Sequence, residues 1–260
     1  MLKKHTVQQL AEQLYSAQEN RTPIDPLTEM EPDISVDEAY AVQIENIKRK
    51  TECGHVISGK KIGLTSLVMQ QMMNVNEPDY GHLLNTMNIE DGQIPMDDLL
   101  QPKMEGEIAF VLAKDLVGPD VTPQQVLEAT EYVVAALEIV DSRVRDWKIK
   151  LPDTVADNAS SGVYVLSDKR VPVSEVCLPD VDMVFYKNGV ELNRGKGSAA
   201  LGDPAICVAW LANKLWAYGV TLKKGEVVLS GALSAAVDAK RGDVFRAEMS
   251  TLGPIEARFV

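Results

Sequence analysis

The sequence predicts an α+β fold in which a helical N-terminal region packs on a strand-rich C-terminal domain. Two observations carry that prediction. Apolar residues recur at helical spacing over the first fifth of the chain, and from about residue 100 β-rich apolar runs separated by turn signals take over. Helices do not alternate regularly with those runs, which argues against repeated βαβ units. The 260 residues, 45% apolar and 25% charged, are ordinary globular values with ample material for a core. The expected division is a helical region over 1–75 and a β-rich domain over 76–260, built as one integrated unit.

Each element has a local cause. Thr6 and Gln9 form a capping-box signature ahead of Val7, Leu10, Ala11 and Leu14. Ser35 and Glu38 open a second helix with Ala39, Val42 and Ile47 inward, which Gly54 ends. Between them, TPIDPLTEMEPD reads as a Pro-rich connection. Residues 59–64 read as a strand or strand-like turn, followed by a short helix over 66–73. Strands are expected at 107–112 and 132–140, with a helix between them that Thr122 caps and Pro123 starts. Further strands fall at 162–166, 183–186, 227–229, 243–249 and 255–260, and Asn188-Gly189 marks a two-residue hairpin. The late helix has Asp203 as N-cap, Pro204 at its first position, residues 205–218 as its body and Gly219 beyond its end.

Charge narrows the function classes. Thirty-eight acidic residues against 26 basic give a net charge of −12, which argues against nucleic-acid binding and against a polybasic membrane surface. An anionic substrate would therefore need a local attraction, from a metal or a placed lysine. Cys53, Cys177 and Cys207 are odd in number and lack a CxxC pair, so neither a disulfide framework nor a zinc knuckle is expected. The N-terminus lacks a signal-peptide apolar stretch, and the apolar run at 132–137 is too short to span a bilayer. A cytoplasmic location is expected. Gly195 to Ala200 matches G-x-G-x-x-A but follows a hairpin, so no nucleotide fingerprint is read there. His82 is expected at the surface, and Trp210 and Trp216 as packing residues.

The chemistry-bearing feature is a trio of glutamates in apolar strands. In MEGEIAFVL, Glu105 and Glu107 leave the same face of an extended strand, with Gly106 and Ile108 facing the other way; in ALEIV, Glu138 interrupts an apolar run. Burying three carboxylates together requires a cation or protons. Three oxygen donors without histidine or thiol fit a hard ion, Mg²⁺ or Mn²⁺. On the pattern alone a second arrangement stands equally: Glu105 in solvent, Glu107 paired with an arginine such as Arg143, and Glu138 with Lys148 or another base. In GKKIGLTS, Lys61 precedes Ile62 and Gly63, which suits a lysine held at a tight backbone site, with Lys60 as the exposed one. Asp153 to Gly162, DTVADNASSG, is a run of small and polar residues able to present hydroxyls and N–H groups to a carboxylate, or to form a capped turn.

In order along the chain, GKKIGLTS, NEPDYG, QPKMEGEIAFVL, ALEIVDSRVRDWKIKLPDTVADNASSG and GPIEARFV closely resemble the 2-keto-4-pentenoate hydratases of the fumarylacetoacetase superfamily. The resemblance covers nearly the whole chain and is most specific over residues 136–162. It implies a helical N-terminal region on a C-terminal mixed β-sandwich roll, and hydration of 2-hydroxypenta-2,4-dienoate in aromatic meta-cleavage catabolism. It also implies Mg²⁺ or Mn²⁺ held by Glu105, Glu107 and Glu138, an active-site lysine at Lys61, its acidic partner at Asp79, and substrate contacts from Ser160 and Ser161. It further implies a homo-oligomer, able to associate with a pathway partner enzyme, with a small 2-oxo or 2-hydroxydienoate acid as its ligand; that neither nucleic acid nor membrane is a partner is the expectation from charge and hydropathy given above. Decarboxylases of 4-oxalocrotonate and hydratases of 2-oxohept-3-enedioate share the scaffold. EGE and RDWKIKLPDTVADNASSG resemble the pentenoate hydratases, whereas GALSAAV at 231–237 is nearer the decarboxylases.

Overall fold

The computed structural model describes residues 2, 4–72 and 74–260. Helix α1 (Val7–Asn20) carries the Thr6–Gln9 capping box and α3 (Val36–Glu52) the Ser35–Glu38 box, each closed reciprocally. One short helix, α2 (Leu27–Met30), interrupts the Pro-rich connection between them. The chain then enters strand β1 (Ile57–Gly63), helix α4 (Leu67–Met72) and strand β2 (Asp79–Leu84). The expected end of α4 at Met73 lies outside the described residues. Next come β3 (Gln93–Ile94), β4 (Pro102–Leu112), α5 (Pro123–Ala129), β5 (Thr130–Asp141), α6 (Leu151–Ala156) and β6 (Ser161–Leu166). The Asn188-Gly189 hairpin joins β7 (Asp182–Lys187) to β8 (Val190–Lys196). Helix α7 (Pro204–Trp216), started by Asp203 and Pro204, leads to β9 (Val227–Ala232), β10 (Val237–Asp238), β11 (Val244–Met249) and β12 (Gly253–Phe259).

The strands form two sheets. One runs β2-β1-β9-β4-β5-β6 with β10 added beside β4, and the other runs β3-β12-β11-β7-β8. β1, from the stretch assigned to the helical region, thus sits inside the main sheet between β2 and β9. Side chains alternate across β4 as a strand demands: Met104, Ile108, Phe110 and Leu112 join the core shared with the second sheet, where Phe185, Phe245 and Phe259 pack. Gly106 leaves room for Met183, whose sulfur a Cβ there would approach to 2.4 Å.

The opposite face of the main sheet curls inward. Asn88 bridges to Tyr164, and Ile89 N–H donates to the Tyr164 carbonyl at 2.8 Å, so β6 meets the segment after β2 and the sheet rolls toward closure. Leu83, Ala109, Val134, Ala136, Tyr164 and Leu229 fill the interior. Ala109, Val134 and Ala136 are small, which lets the two central strands curve, and the glutamates occupy the same face toward one end.

Helix α3 braces this roll from outside. Gln43 donates through Nε2 to the carbonyls of Tyr80 (3.1 Å) and Val155 (2.7 Å), and its Oε1 lies 2.9 Å from His82 Nδ1. His82 is therefore buried, against the sequence expectation of a surface histidine. Burial, with Lys60 nearby, pushes its pKa down to about 3. Lys60 is likewise only 2% exposed and pairs with Glu226 at 3.1 Å, where an exposed lysine was expected. Both corrections have one cause: β1 and β2 are covered on both faces, so neither residue of the Lys60-Lys61 pair reaches solvent. Trp216 departs in the other sense, being 49% exposed at the end of α7.

Candidate active site

The antiparallel register of β4 and β5 places Glu105 directly opposite Glu138, with Glu107 two residues along the same face. One carboxylate oxygen from each lies within 4.8 Å of the others, and Glu107 and Glu138 are buried. Glu107 Oε2 accepts from the Gly231 N–H at 2.9 Å, where β9 turns past the site. That turn requires glycine, since Gly231 has φ +109° and a Cβ would approach Thr65 Oγ1 to 2.2 Å. Of the ion pairs open on pattern alone, Glu107–Arg143 and Glu138–Lys148 do not form, and the base that Glu138 meets is Lys61. Arg143 pairs with Asp157 and Lys148 with Asp146.

Lys61 enters from β1, its Nζ 3.4 Å from Glu138 Oε1 and donating to the Ala159 carbonyl at 3.1 Å. The Glu138 contact is an ion pair without hydrogen-bond alignment, so among the described residues no donor reaches either oxygen of this buried carboxylate. Asp79, at the start of β2, faces Gly63 across the β1–β2 ladder, and its Oδ1 is also buried without a donor. A Cβ on Gly63 would stand 2.2 Å from that oxygen and 3.4 Å from Lys61 Nζ, so the glycine leaves the gap in which both groups face one space.

Electrostatics follow from this crowding. Burial and then the Glu138 charge push Glu105 up to about 7, and burial with Glu138 and Glu105 pushes Glu107 well above the usual carboxylate range. Burial also raises Asp79, against the pull of Lys61. Burial alone would lower Lys61, but Glu138, Asp79, Glu105 and Glu107 outweigh it and hold the ammonium above its ordinary value. One lysine faces four carboxyl groups, and a divalent cation would restore the balance. The residues present fit such an ion: three convergent oxygen donors, no nitrogen or sulfur, and an acceptor-only carboxylate that no hydrogen-bond donor among the described residues reaches.

The 153–162 stretch is not a plain loop. Helix α6 fills its first part, with Asp153 accepting from Thr28 N–H and Oγ at 2.9 Å each. A tight turn follows in which Asn158, Ala159 and Ser160 all have positive φ, between +50° and +56°. This conformation is costly for side-chain-bearing residues, and it aims the Ala159 carbonyl at Lys61. Asn158 clamps the turn to β2, accepting from His82 N–H (2.7 Å) and donating to His82 O (2.9 Å). Gly81 allows the approach, because a Cβ there would meet Asn158 O at 2.3 Å. Arg143 supports it from below, binding Asp157 and the carbonyls of Asp141 (2.5 Å) and Ser161 (2.7 Å). Ser160 Oγ lies 3.3 Å from Thr154 Oγ1, while Ser161 Oγ donates to Asn158 O at 2.7 Å and lines a separate cavity of about 320 Å³ under α1 and α3.

Residues 66–260 match the fumarylacetoacetate (FAA) hydrolase C-terminal family. The chain belongs to that family. A 2-keto-4-pentenoate hydratase of Paraburkholderia xenovorans (strain LB400) is 46% identical over 253 residues, covering 97% of this chain and 94% of the relative. A 2-hydroxypent-2,4-dienoate hydratase of Pseudomonas putida is 47% identical over 84% of this chain and 99% of its own. Among solved structures, 4-oxalocrotonate decarboxylase from Pseudomonas putida G7, complexed with magnesium and adipate, superposes with a TM-score of 0.96 at 35% identity, covering 100% of this chain and 99% of that one.

The family fold accounts for what sequence reading missed in this member. Asn158, Arg143 and Asp157 support the turn through contacts between residues from 14 to 76 positions apart. A local motif search has no access to such pairs. The signal within reach was Asn158 itself, a residue that tolerates positive φ, in a stretch of small and polar residues just before β6.

Proposed function

We propose that this chain is a hydro-lyase that hydrates 2-hydroxypenta-2,4-dienoate (2-keto-4-pentenoate) to 4-hydroxy-2-oxopentanoate in aromatic meta-cleavage catabolism, with Mg²⁺ or Mn²⁺ held by Glu105, Glu107 and Glu138. The observation that carries this reading is Glu138, a buried carboxylate with no hydrogen-bond donor among the described residues, facing two more carboxylates and Lys61. Identity of 46% over 97% of the chain to a protein named for this reaction supports the choice of substrate. When bound, the cation supplies a Lewis acid for the 2-oxo acid end of the substrate.

The remaining work falls to the chain's own groups. The dienol must lose its O–H proton and gain one at C5; water then adds its oxygen to C4 and a proton to C3. One water is consumed and no redox change occurs. Lys61 Nζ, kept cationic by its neighbours, is the donor for carbon protonation. Asp79 Oδ1, unpartnered beside the Gly63 gap, holds and returns the proton of the attacking water. The turn carrying Ser160 and Ser161 is assigned the substrate carboxylate, and Ser160 Oγ, whose neighbour is Thr154 Oγ1, is the hydroxyl with bonding capacity left.

Offering the purified chain 2-hydroxypenta-2,4-dienoate and 4-oxalocrotonate separately, with Mg²⁺, tests the proposal. Loss of the dienoate without CO₂ from the second substrate is expected. CO₂ release would favour the decarboxylase reading, which the 0.96 TM-score supports; no dienoate loss refutes the hydratase. A cytoplasmic homo-oligomer completes the proposal. Edge strand β8 exposes Val190 and Leu192, a surface suited to pairing with another copy, and sedimentation velocity reads the assembly mass.

A further inference from the structure

The carboxylate cluster opens toward the N-terminal end of β4. Glu107 is buried, Glu105 is partly exposed, and the Lys103 side chain, next on the same face, is 29% exposed. Lys103 therefore stands over the mouth, two residues or roughly 7 Å up the strand from Glu105. Two groups hold it. Asp238, directly opposite on β10, binds its Nζ through Oδ1 at 3.1 Å, and the Trp147 ring centroid lies 5.1 Å from the same nitrogen. Trp147 is fixed by its Nε1–H, which donates to the Gln101 carbonyl at 3.0 Å. It has φ +55° next to Asp146 at φ +57°, a backbone state costly for an aromatic residue and characteristic of functional positions. Asp238 ends the strip that leaves β9 at Gly231 and runs beside β4, pinned by Leu233 N–H to the Gly106 carbonyl at 3.0 Å. The same strip thus touches Glu107 at one end and Lys103 at the other.

We propose that Lys103, Asp238 and Trp147 form the specificity-determining rim for the far end of the substrate, and that Asp238 biases the site toward an uncharged tail. This rests on the functional reading above, in which the 2-oxo acid end occupies the glutamate trio. A tail that leaves the trio along β4 meets a cation already neutralised by a carboxylate and an indole face. A distal carboxylate must share Lys103 with Asp238, and it does so beside the negative charge of Glu105. An apolar tail meets the Trp147 ring and the lysine methylenes without that competition.

The test uses the full-length protein loaded with Mg²⁺ and two non-reacting probes, 2-oxopentanoate and 2-oxoheptanedioate, whose dissociation constants are measured by calorimetry. Asp238→Asn should raise the relative affinity for the diacid about two- to fivefold, the size of an exposed ion pair, since the Asp238 side chain is 79% exposed. Lys103→Met should lower it below wild type, and the double variant should show no gain. Asp238→Glu should restore the wild-type ratio. With the corresponding dienoates, the same shift should appear in KM rather than kcat. A ratio unchanged in Asp238→Asn, or raised equally in the double variant, overturns the proposal. If wild type binds the probes but hydrates neither dienoate, the functional reading fails while the rim is still read by binding; if neither probe binds, both fail.

Discussion

Arg143 is the point at which stability and the site are joined most directly. Its guanidinium holds the Asp157 side chain and carbonyl and the carbonyls of Asp141 and Ser161, all in the interior. Arg143→Met keeps most of the volume but leaves three carbonyls short of a donor and Asp157 with only the Arg143 N–H at 2.9 Å and a long contact from Ser142 Oγ at 3.4 Å. Removing one partner of a buried ion pair costs about 3–5 kcal/mol, a large share of a total stability of about 5–15 kcal/mol. At about 2–4 °C per kcal/mol, Tm should fall by roughly 6–20 °C. The loss should also depend on pH. Burial pushes Asp157 up to about 6 despite Arg143, and without the guanidinium its folded pKa rises further. Below the folded value the carboxyl is protonated and its burial is tolerated; above it the bare charge is exposed to the full desolvation cost. The destabilisation should therefore grow as pH rises through 6. Thermal unfolding of both proteins at pH 6 and pH 8 reads it, with Arg143→Lys as a second variant that retains charge without the planar fork and so recovers only part of the loss. A Tm within about 2 °C of wild type at pH 8 would refute the claim that this network offsets the strain of the 158–160 turn.

Four further outcomes are expected. Glu138→Gln should weaken Mg²⁺ binding by more than about 100-fold, since even changes outside the ligand shell cost about 10–100-fold; calorimetry showing wild-type affinity would remove the trio as the metal centre. Glu105, pushed up to about 7 by burial and Glu138, binds its proton more tightly folded than unfolded, so the metal-free protein should lose stability as pH rises from the ordinary carboxylate range through 7. Cation and proton compete for the same oxygens, so the Tm gain from Mg²⁺ should be larger at pH 8 than at pH 6, and a gain that shrinks with rising pH would contradict the assignment. Gly231→Ala, forced into φ +109° and against Thr65, should lower stability by more than about 1–2 kcal/mol and weaken metal binding by moving the Glu107 donor; retention of both would mean the turn can relax.

What the sequence made legible was whatever a few adjacent residues decide. The capping boxes at Thr6 and Ser35, the Asn188-Gly189 hairpin and the start of α7 at Asp203 all form as their local chemistry dictates. So does the shared face of Glu105 and Glu107, because alternation in a strand needs no tertiary knowledge. The errors share the opposite property. Lys60 and His82 look like surface residues until β1 and β2 are covered on both faces, and β2 was not read as a strand because NEPDYGHLL has no clean alternation, all six of its residues being buried.

Whether Glu138 meets a base or a cation could not follow from its own strand, since the decisive fact is that Arg143 is occupied by Asp157 and Lys148 by Asp146. The two bases named from the pattern are thus withdrawn by contacts made elsewhere in the chain, and the base that reaches Glu138 comes from β1. Lys61 remains as the base inside the cluster, one positive charge among four carboxyl groups, with Lys103 at its mouth. The chain's net charge of −12 gives an anionic substrate no long-range attraction, so attraction has to come from within the mouth of the roll, where a bound cation adds to Lys61. On that account raising ionic strength should affect substrate capture far less than removing the divalent ion, because only the surface field is screened over about 8–10 Å.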